Sequence, residues 1–205
     1  MTRASLTLTE LTVRRGGNAV VERLTATILP GRVYWVVGPN GAGKTSLLRV
    51  LAGTDPPHSG SVRRMSPDET PFLYLHSEMV LPPSSTVGDW DRLVVRLLPP
   101  GAPSERTRLW PGLDPRRRAG RLSTGERKRL LLDALLRRPG SLLLDEPYEH
   151  LSPDGKATLS ELLEARAATR VVVVATNQAT PRLTRDVGLR LEGGTFTRLT
   201  TAGSA

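Results

Sequence analysis

The stretch Gly38-Pro39-Asn40-Gly41-Ala42-Gly43-Lys44-Thr45 constrains the fold of this chain more than any other, because it joins an apolar run to a helical one. Arg32-Val33-Tyr34-Trp35-Val36-Val37 reads as a buried strand, and Ser46-Leu47-Leu48-Arg49-Val50-Leu51-Ala52-Gly53 as a helix stopped by its glycine. Between them, Gly38, Gly41 and Gly43 let successive backbone N–H groups turn inward at the positive end of a helix dipole, which makes an anion cradle. A triphosphate fits there, held by residues 38–46. Lys44 would neutralise its β and γ phosphates as a point charge, and the Thr45 hydroxyl would ligate Mg²⁺.

A chain of 205 residues can bury one sizeable core, so a single domain with a small inserted subdomain is expected. Cysteine is absent, which removes disulfides and thiolate metal sites from consideration. Met1-Thr2-Arg3-Ala4-Ser5-Leu6 lacks the apolar core of a signal peptide, and no apolar run approaches the ~18 residues of a membrane span, so a soluble cytoplasmic chain is expected. The net charge of +9 comes almost wholly from arginine, lysine occurring only at Lys44, Lys128 and Lys156. Clusters such as Arg116-Arg117-Arg118 and Arg127-Lys128-Arg129 read first as solvated faces, with anionic lipid or nucleic acid as the alternatives. No aromatic residue interleaves with these arginines, which weakens the case for single-stranded nucleic acid.

Along the chain, alternation over residues 5–13 predicts a half-buried strand, with residues 24–29 returning as its antiparallel partner. Residues 60–64 and 72–75 are short strand candidates. Val87 to Leu98 has helical spacing, and with Pro99-Pro100-Gly101-Ala102-Pro103 after it, the stretch of about 80–121 predicts a small, mainly helical insertion. A helix over 124–138, the apolar strand Ser141-Leu142-Leu143-Leu144-Asp145, a helix over 154–168 and the β-branched run Val171-Val172-Val173-Val174-Ala175 follow. Such alternation argues for an α/β fold with a mainly parallel sheet behind the N-terminal antiparallel layer. Residues 188–196 predict a closing hairpin through Gly193-Gly194, and 200–205 read as a disordered tail.

Two further motifs carry chemistry. Asp145 and Glu146 stand at the end of a buried strand, the edge at which a parallel sheet binds ligands. Asp145 would hold Mg²⁺ through its water shell opposite Thr45, and Glu146 would polarise the water attacking the γ-phosphate. Leu122-Ser123-Thr124-Gly125-Glu126 opens the helix leading back to that strand. By itself it is an N-cap; its hydroxyl and bare N–H groups can also meet a phosphate.

In the order phosphate loop, Leu122–Glu126, Asp145-Glu146-Pro147 and the Leu151 turn, nearly the whole chain resembles the ATP-binding-cassette (ABC) ATPase family, a class of P-loop NTPase. The resemblance implies a single nucleotide-binding domain over 1–205 that hydrolyses ATP with Mg²⁺. It also implies a homo- or heterodimer of cassettes in which Ser123, Thr124, Gly125 and Glu126 form a signature facing the partner's nucleotide. A transmembrane transporter subunit would dock on the helical insertion, at the inner face of the cell membrane, with no role for nucleic acid. The short length and the Leu73-Tyr74-Leu75-His76 strand end are most similar to the ATPase type that serves haem export in cytochrome c maturation. Two alternatives are a soluble cassette acting on nucleic acid or ribosomes, and a nearly inactive regulatory cassette paired with a catalytic partner.

The chain departs from the family at several positions. Glu78 stands where a glutamine usually touches Mg²⁺, and Asn177, within Thr176-Asn177-Gln178, stands where a switch histidine is expected. Ser152 replaces an aspartate, and Arg15 replaces the aromatic that stacks on adenine. Asparagine can donate a hydrogen bond but cannot become cationic. The expectation is a cassette that binds Mg·ATP well and hydrolyses it slowly.

Overall fold

Alternating side chains start the fold. The computed structural model describes residues 4–66, 70–102, 105–110, 112–177, 187–192 and 195–199; the expectations for Pro103, Gln178, the Gly193-Gly194 turn and residues 200–205 lie outside them. Leu6, Leu8, Leu11 and Val13 of β1 (Ser5–Arg15) are buried in one layer. The odd step from Leu8 to Leu11 is absorbed by a register shift, where Glu10 takes a φ of 46°. β2 (Asn18–Ile28) pairs antiparallel with β1 through a Gly16-Gly17 turn in which both φ angles are positive, the chemistry of a tight hairpin. Both strands run longer than their apolar residues announced, because the hairpin carries the pairing to Arg15 and Asn18. β4 (Ser59–Met65) takes the other edge of β1, giving the order β2-β1-β4.

The second sheet has the order β5-β6-β7-β3-β8-β9. Here β3 (Val33–Val37), β5 (Phe72–Leu75), β6 (Ser141–Asp145), β7 (Val172–Thr176) and β8 (Val187–Glu192) pair in parallel, and β9 (Thr195–Leu199) closes the edge antiparallel to β8. The hairpin expected near the C-terminus is therefore built into the main sheet through β8. Strand periodicity divides the core in two. Leu143, Val173 and Ala175 face α1 (Lys44–Ala52), whose Leu47, Leu48, Val50 and Leu51 fill the space between the sheets. Leu142, Leu144, Val172 and Val174 face the other way, onto α3 (Thr124–Arg137) and α4 (Pro153–Ala167). Each fully buried leucine contributes about 1.5–3 kcal/mol, so both faces of the central strands resist separation.

Residues 80–121 are less helical than the spacing suggested. Among the described residues their helical elements are α2 (Val87–Arg96) and a single 3-10 turn, Ala119–Arg121. Prolines 82, 83, 99, 100 and 115 withhold the N–H groups a longer helix needs. The segment closes on itself by backbone bonds instead: Val87 N–H to the Arg117 carbonyl (2.9 Å), Gly88 to Pro115 (2.8 Å) and Ala119 to Ser85 (2.8 Å). Asp91 of α2 then grips Arg137 of α3 at 2.7 Å, and Arg106 at 2.8 Å. Burial opposes ionisation of Asp91, but the hydrogen bonds and charge of Arg106 and Arg137 outweigh it and hold its carboxyl below the ordinary value.

Several arginines are engaged by carbonyls. Arg166 donates to the carbonyls of Leu136, Arg138 and Gly140 at the end of α3, and Arg64 to those of Val50 and Leu51 at the end of α1. Guanidinium groups here close helix C-termini, whose last carbonyls have no intrahelical partner. The cluster 127–129 is not one basic face: Lys128 is buried, which lowers its pKa, while Arg129 donates to the carbonyls of Leu109 and Trp110. In the other cluster Arg117 is held by Glu126 and by the Arg121 carbonyl.

Candidate functional site

Parallel pairing places the phosphate loop, the end of β6 and the end of β7 side by side, at the carboxyl edge of the sheet. The loop is forced into shape by its glycines. Gly41 and Gly43 have φ of 84° and 102°, and a Cβ on Gly43 would lie 2.5 Å from Val20 Cβ. A Cβ on Gly38 would strike the carbonyl oxygen of Leu191 in β8. Lys44 is buried, and its ammonium donates to the carbonyls of Gly38 (2.8 Å) and Pro39 (3.1 Å) while standing 3.6 Å from Glu146 Oε1.

Thr45 and Asp145, a hundred residues apart, meet directly: the Thr45 hydroxyl donates to Asp145 Oδ2 at 2.7 Å. A second hydroxyl, that of Ser77 just beyond β5, donates to the same oxygen at 3.3 Å. Glu78, the residue singled out in the sequence, lines the same cleft, but its hydrogen bond here is from its backbone N–H to His76 Nδ1 (3.0 Å). The side chain that reaches Asp145 from this strand end is thus Ser77.

Glu146 is buried, and it adopts a left-handed φ of 47° directly after the strand. Burial raises its pKa; a hydrogen bond from the Thr176 side chain and the charge of Lys44 oppose this, and Glu149 and Asp145 add to it. Its Oε2 is buried without a hydrogen-bond partner. A buried carboxylate oxygen in that state is costly unless a ligand engages it. Asn177 donates from Nδ2 to Asn40 Oδ1 at 2.9 Å, tying the end of β7 to the tip of the phosphate loop.

These donors fit Mg²⁺ with a triphosphate: hard oxygens on Thr45, Ser77 and Asp145, a lysine, and bare backbone N–H groups. Ser46 and Arg15 border a cleft of about 810 Å³ with Thr45, Ser77 and Glu78. Among the described residues, no Phe, Tyr or Trp lines that cleft; Arg14 and Arg15 supply flat groups on which a base could stack.

Ser123, Thr124, Gly125 and Glu126 lie elsewhere. Among the described residues, no hydrogen bond or ion pair joins them to residues 38–46. Ser123 and Glu126 form a capping box, and hydrogen bonds from Ser123 together with Arg117 hold the Glu126 carboxyl below its ordinary pKa. Gly125 packs against the segment after Glu146, since a Cβ there would lie 2.6 Å from the His150 carbonyl oxygen. Ser152, read as a replaced aspartate, is the N-cap of α4, accepting from the Gly155 N–H at 3.2 Å.

On the far side of β5 lies an apolar groove of about 390 Å³, lined among others by Phe72, Leu75, Met79, Trp90 and Leu97. Leu93 and Leu97 of the α2 region and Met79 and Val80 of the loop after β5 are exposed there or beside it.

Residues 21–149 match the family model described as ABC transporter. The chain is 36% identical, over 169 residues, to a cytochrome c biogenesis ATP-binding export protein of Ruegeria pomeroyi, covering 78% of each. It is 34% identical to a zinc import ATP-binding protein of Yersinia pestis, covering 78% of this chain but 63%, less than two thirds, of that protein. Its fold superposes on an ATP-binding subunit of an ABC transporter with a TM-score of 0.74 at 20% identity, covering 95% of this chain and 90% of that one. A bacterial Atm1-family ABC exporter with ATP bound gives a TM-score of 0.72 at 19% identity, with 95% of this chain and 38% of that chain covered. Among the described residues, no helix is long and apolar enough to cross a membrane.

Proposed function

The chain belongs to the ABC transporter family, and from that premise we propose that it binds ATP with Mg²⁺ and hydrolyses it to drive a membrane-spanning transport partner. It works as one of two cassettes at the inner face of the membrane. One observation carries this reading. The strand end 76–79 borders both cavities: His76, Ser77 and Glu78 line the nucleotide cleft, while Met79 and β5 line the apolar groove. A change at the nucleotide therefore has a short mechanical route to whatever occupies the groove.

Lys44, which donates to its own loop carbonyls in this structure, is the cation that would turn to the phosphates. Thr45, Asp145 and Ser77 would hold Mg²⁺, which supplies charge neutralisation to the phosphates when bound. Glu146, its pKa raised by burial, would take the proton of the attacking water, since a base works best with a pKa near the working pH. Asn177 would position the loop through Asn40 without adding positive charge, and Glu78 would add negative charge to the cleft wall. Both point to slow turnover, with a more complete cassette as the natural partner. Ser123, Thr124 and Gly125 would meet the nucleotide of that second cassette.

Steady-state ATP turnover of the purified chain tests the enzymatic half. The expected rate is below ~1 s⁻¹, and Glu146→Gln lowers it by about 10²- to 10⁴-fold, as loss of a general base does. A faster rate would show that Asn177 and Glu78 are no handicap, and an unchanged rate in Glu146→Gln would remove Glu146 from the chemistry. For the transport half, the chain is isolated from gently solubilised membranes. A stoichiometric polytopic protein is the expected companion; recovery with ribosomes or nucleic acid alone would overturn the reading.

A further inference from the structure

We propose that the segment docking in the apolar groove presents a carboxylate to Arg138, so that the partner is recognised by one ion pair set at the edge of an otherwise apolar contact. The inference rests on the transport reading above and names the chemistry of the partner at that same surface. Arg138 follows α3 and lines the groove, where it is the one charged residue among the described lining residues. It is half-buried, and its side chain has no hydrogen bond or ion pair among the described residues. That sets it apart from its neighbours. Arg137 is held by Asp91 and Asp133, Arg166 by carbonyls, Arg106 by Asp91 and the Trp110 ring.

The groove around Arg138 is built for apolar side chains. Trp90, Leu93, Val94 and Leu97 recur at helical spacing along one side, and Leu131, Ala134 and Leu135 floor it from α3. Leu93 and Leu97 are 46% and 54% exposed, so a stripe as well as a pocket is uncovered. A short amphipathic helix laid in such a groove buries an i, i+3, i+4 face. Its apolar residues supply the contact area, while the single guanidinium selects an acidic residue and rejects a basic one in the same place. An acyl chain with an anionic headgroup would satisfy the same chemistry; the helical spacing of the stripe favours a polypeptide.

The experiment uses the full chain in its own host. A photo-reactive p-benzoylphenylalanine replaces the exposed Leu97, membranes are illuminated, and the cross-linked peptide is mapped by mass spectrometry. The expected adduct is a cytoplasmic loop of a membrane-spanning protein carrying Asp or Glu within a helical turn of the cross-link. Arg138→Gln should lower the yield a few-fold and Arg138→Glu about tenfold, and changing the loop carboxylate to Arg should restore the yield of Arg138→Glu. Restoration separates lost recognition from a misfolded variant. A mapped loop without a carboxylate, or a yield unaltered in Arg138→Glu, overturns the ion pair and leaves the transport reading standing. Adducts only to lipid or to soluble proteins, or none, overturn the transport reading and this inference with it.

Discussion

Two helix N-termini, both read in the sequence as phosphate sites, are finished in opposite ways. α1 begins at Gly43, in a left-handed conformation, with no side-chain cap and no acidic residue in its first turn. α3 begins at Ser123, whose hydroxyl accepts the Glu126 N–H at 3.2 Å while Glu126 returns the favour to the Ser123 N–H at 2.7 Å. Every helix leaves its first N–H groups without intrahelical partners. At α1 the dipole and the lysine beside it favour an anion; at α3 two side chains of the same chain already fill that role, and Glu126 brings its own negative charge. The first terminus is left open to an anion. The second is stable by itself and can serve a ligand through its exposed serine and threonine.

This contrast can be broken at either end. The largest effect is expected from Lys44→Ala, which removes a buried cation from the α1 terminus and should cost about 2–5 kcal/mol of ATP binding, roughly thirtyfold or more in Kd. The readout is the rise in melting temperature on adding Mg·ATP, which mass action predicts for the native chain and which the variant should lose. An undiminished rise would place the phosphates elsewhere.

A smaller effect belongs to Ser123→Ala, which should destabilise the nucleotide-free chain by about 1 kcal/mol through loss of the cap, lowering its melting temperature by about 2–4 °C. If turnover falls while this melting shift is absent, Ser123 acts on the nucleotide and its cap is dispensable. The smallest effect is the pH dependence of Glu126→Gln. A carboxyl held low in the folded state stabilises above its unfolded pKa, near 4.3, and that contribution is lost as pH falls through the lower folded value. The native chain should therefore melt slightly higher than Glu126→Gln at neutral pH, with the two curves converging under acid conditions. A gap that persists undiminished as the pH is lowered into acid would mean that the charge of Glu126 is not what caps α3.

Legibility in the sequence varied with the range of the interaction. β5 and β6 occur at the residues their apolar runs predicted, and the N-cap of α3 was readable at Ser123 or Thr124, the structure choosing Ser123. Residues 80–121 were less readable, because apolar spacing near Val87 looks the same whether the helix continues or ends, and proline-broken chain closes by backbone bonds that leave no pattern. Lys128 illustrates a further limit. Flanked by arginines it read as part of a basic face, yet helical geometry turns it inward toward Asp145, Glu146 and Glu149 while Arg129 goes to carbonyls. Ser77 carried no signal of its own, being one hydroxyl in a strand-end loop beside a more conspicuous glutamate.

What the sequence by itself determined is the phosphate loop with its strand and helix, because glycine φ freedom, bare N–H groups and the helix dipole all arise from contiguous residues. It also determined the parallel sheet, through apolar runs buried on both faces. Only the tertiary structure decided that Thr45 and Ser77 share one oxygen of Asp145, that Asn177 clasps Asn40, and that Arg138 stands beside a groove without a side-chain partner among the described residues. Those contacts depend on which strands become neighbours across the order β5-β6-β7-β3, and that choice is made by packing the whole core rather than by any local stretch.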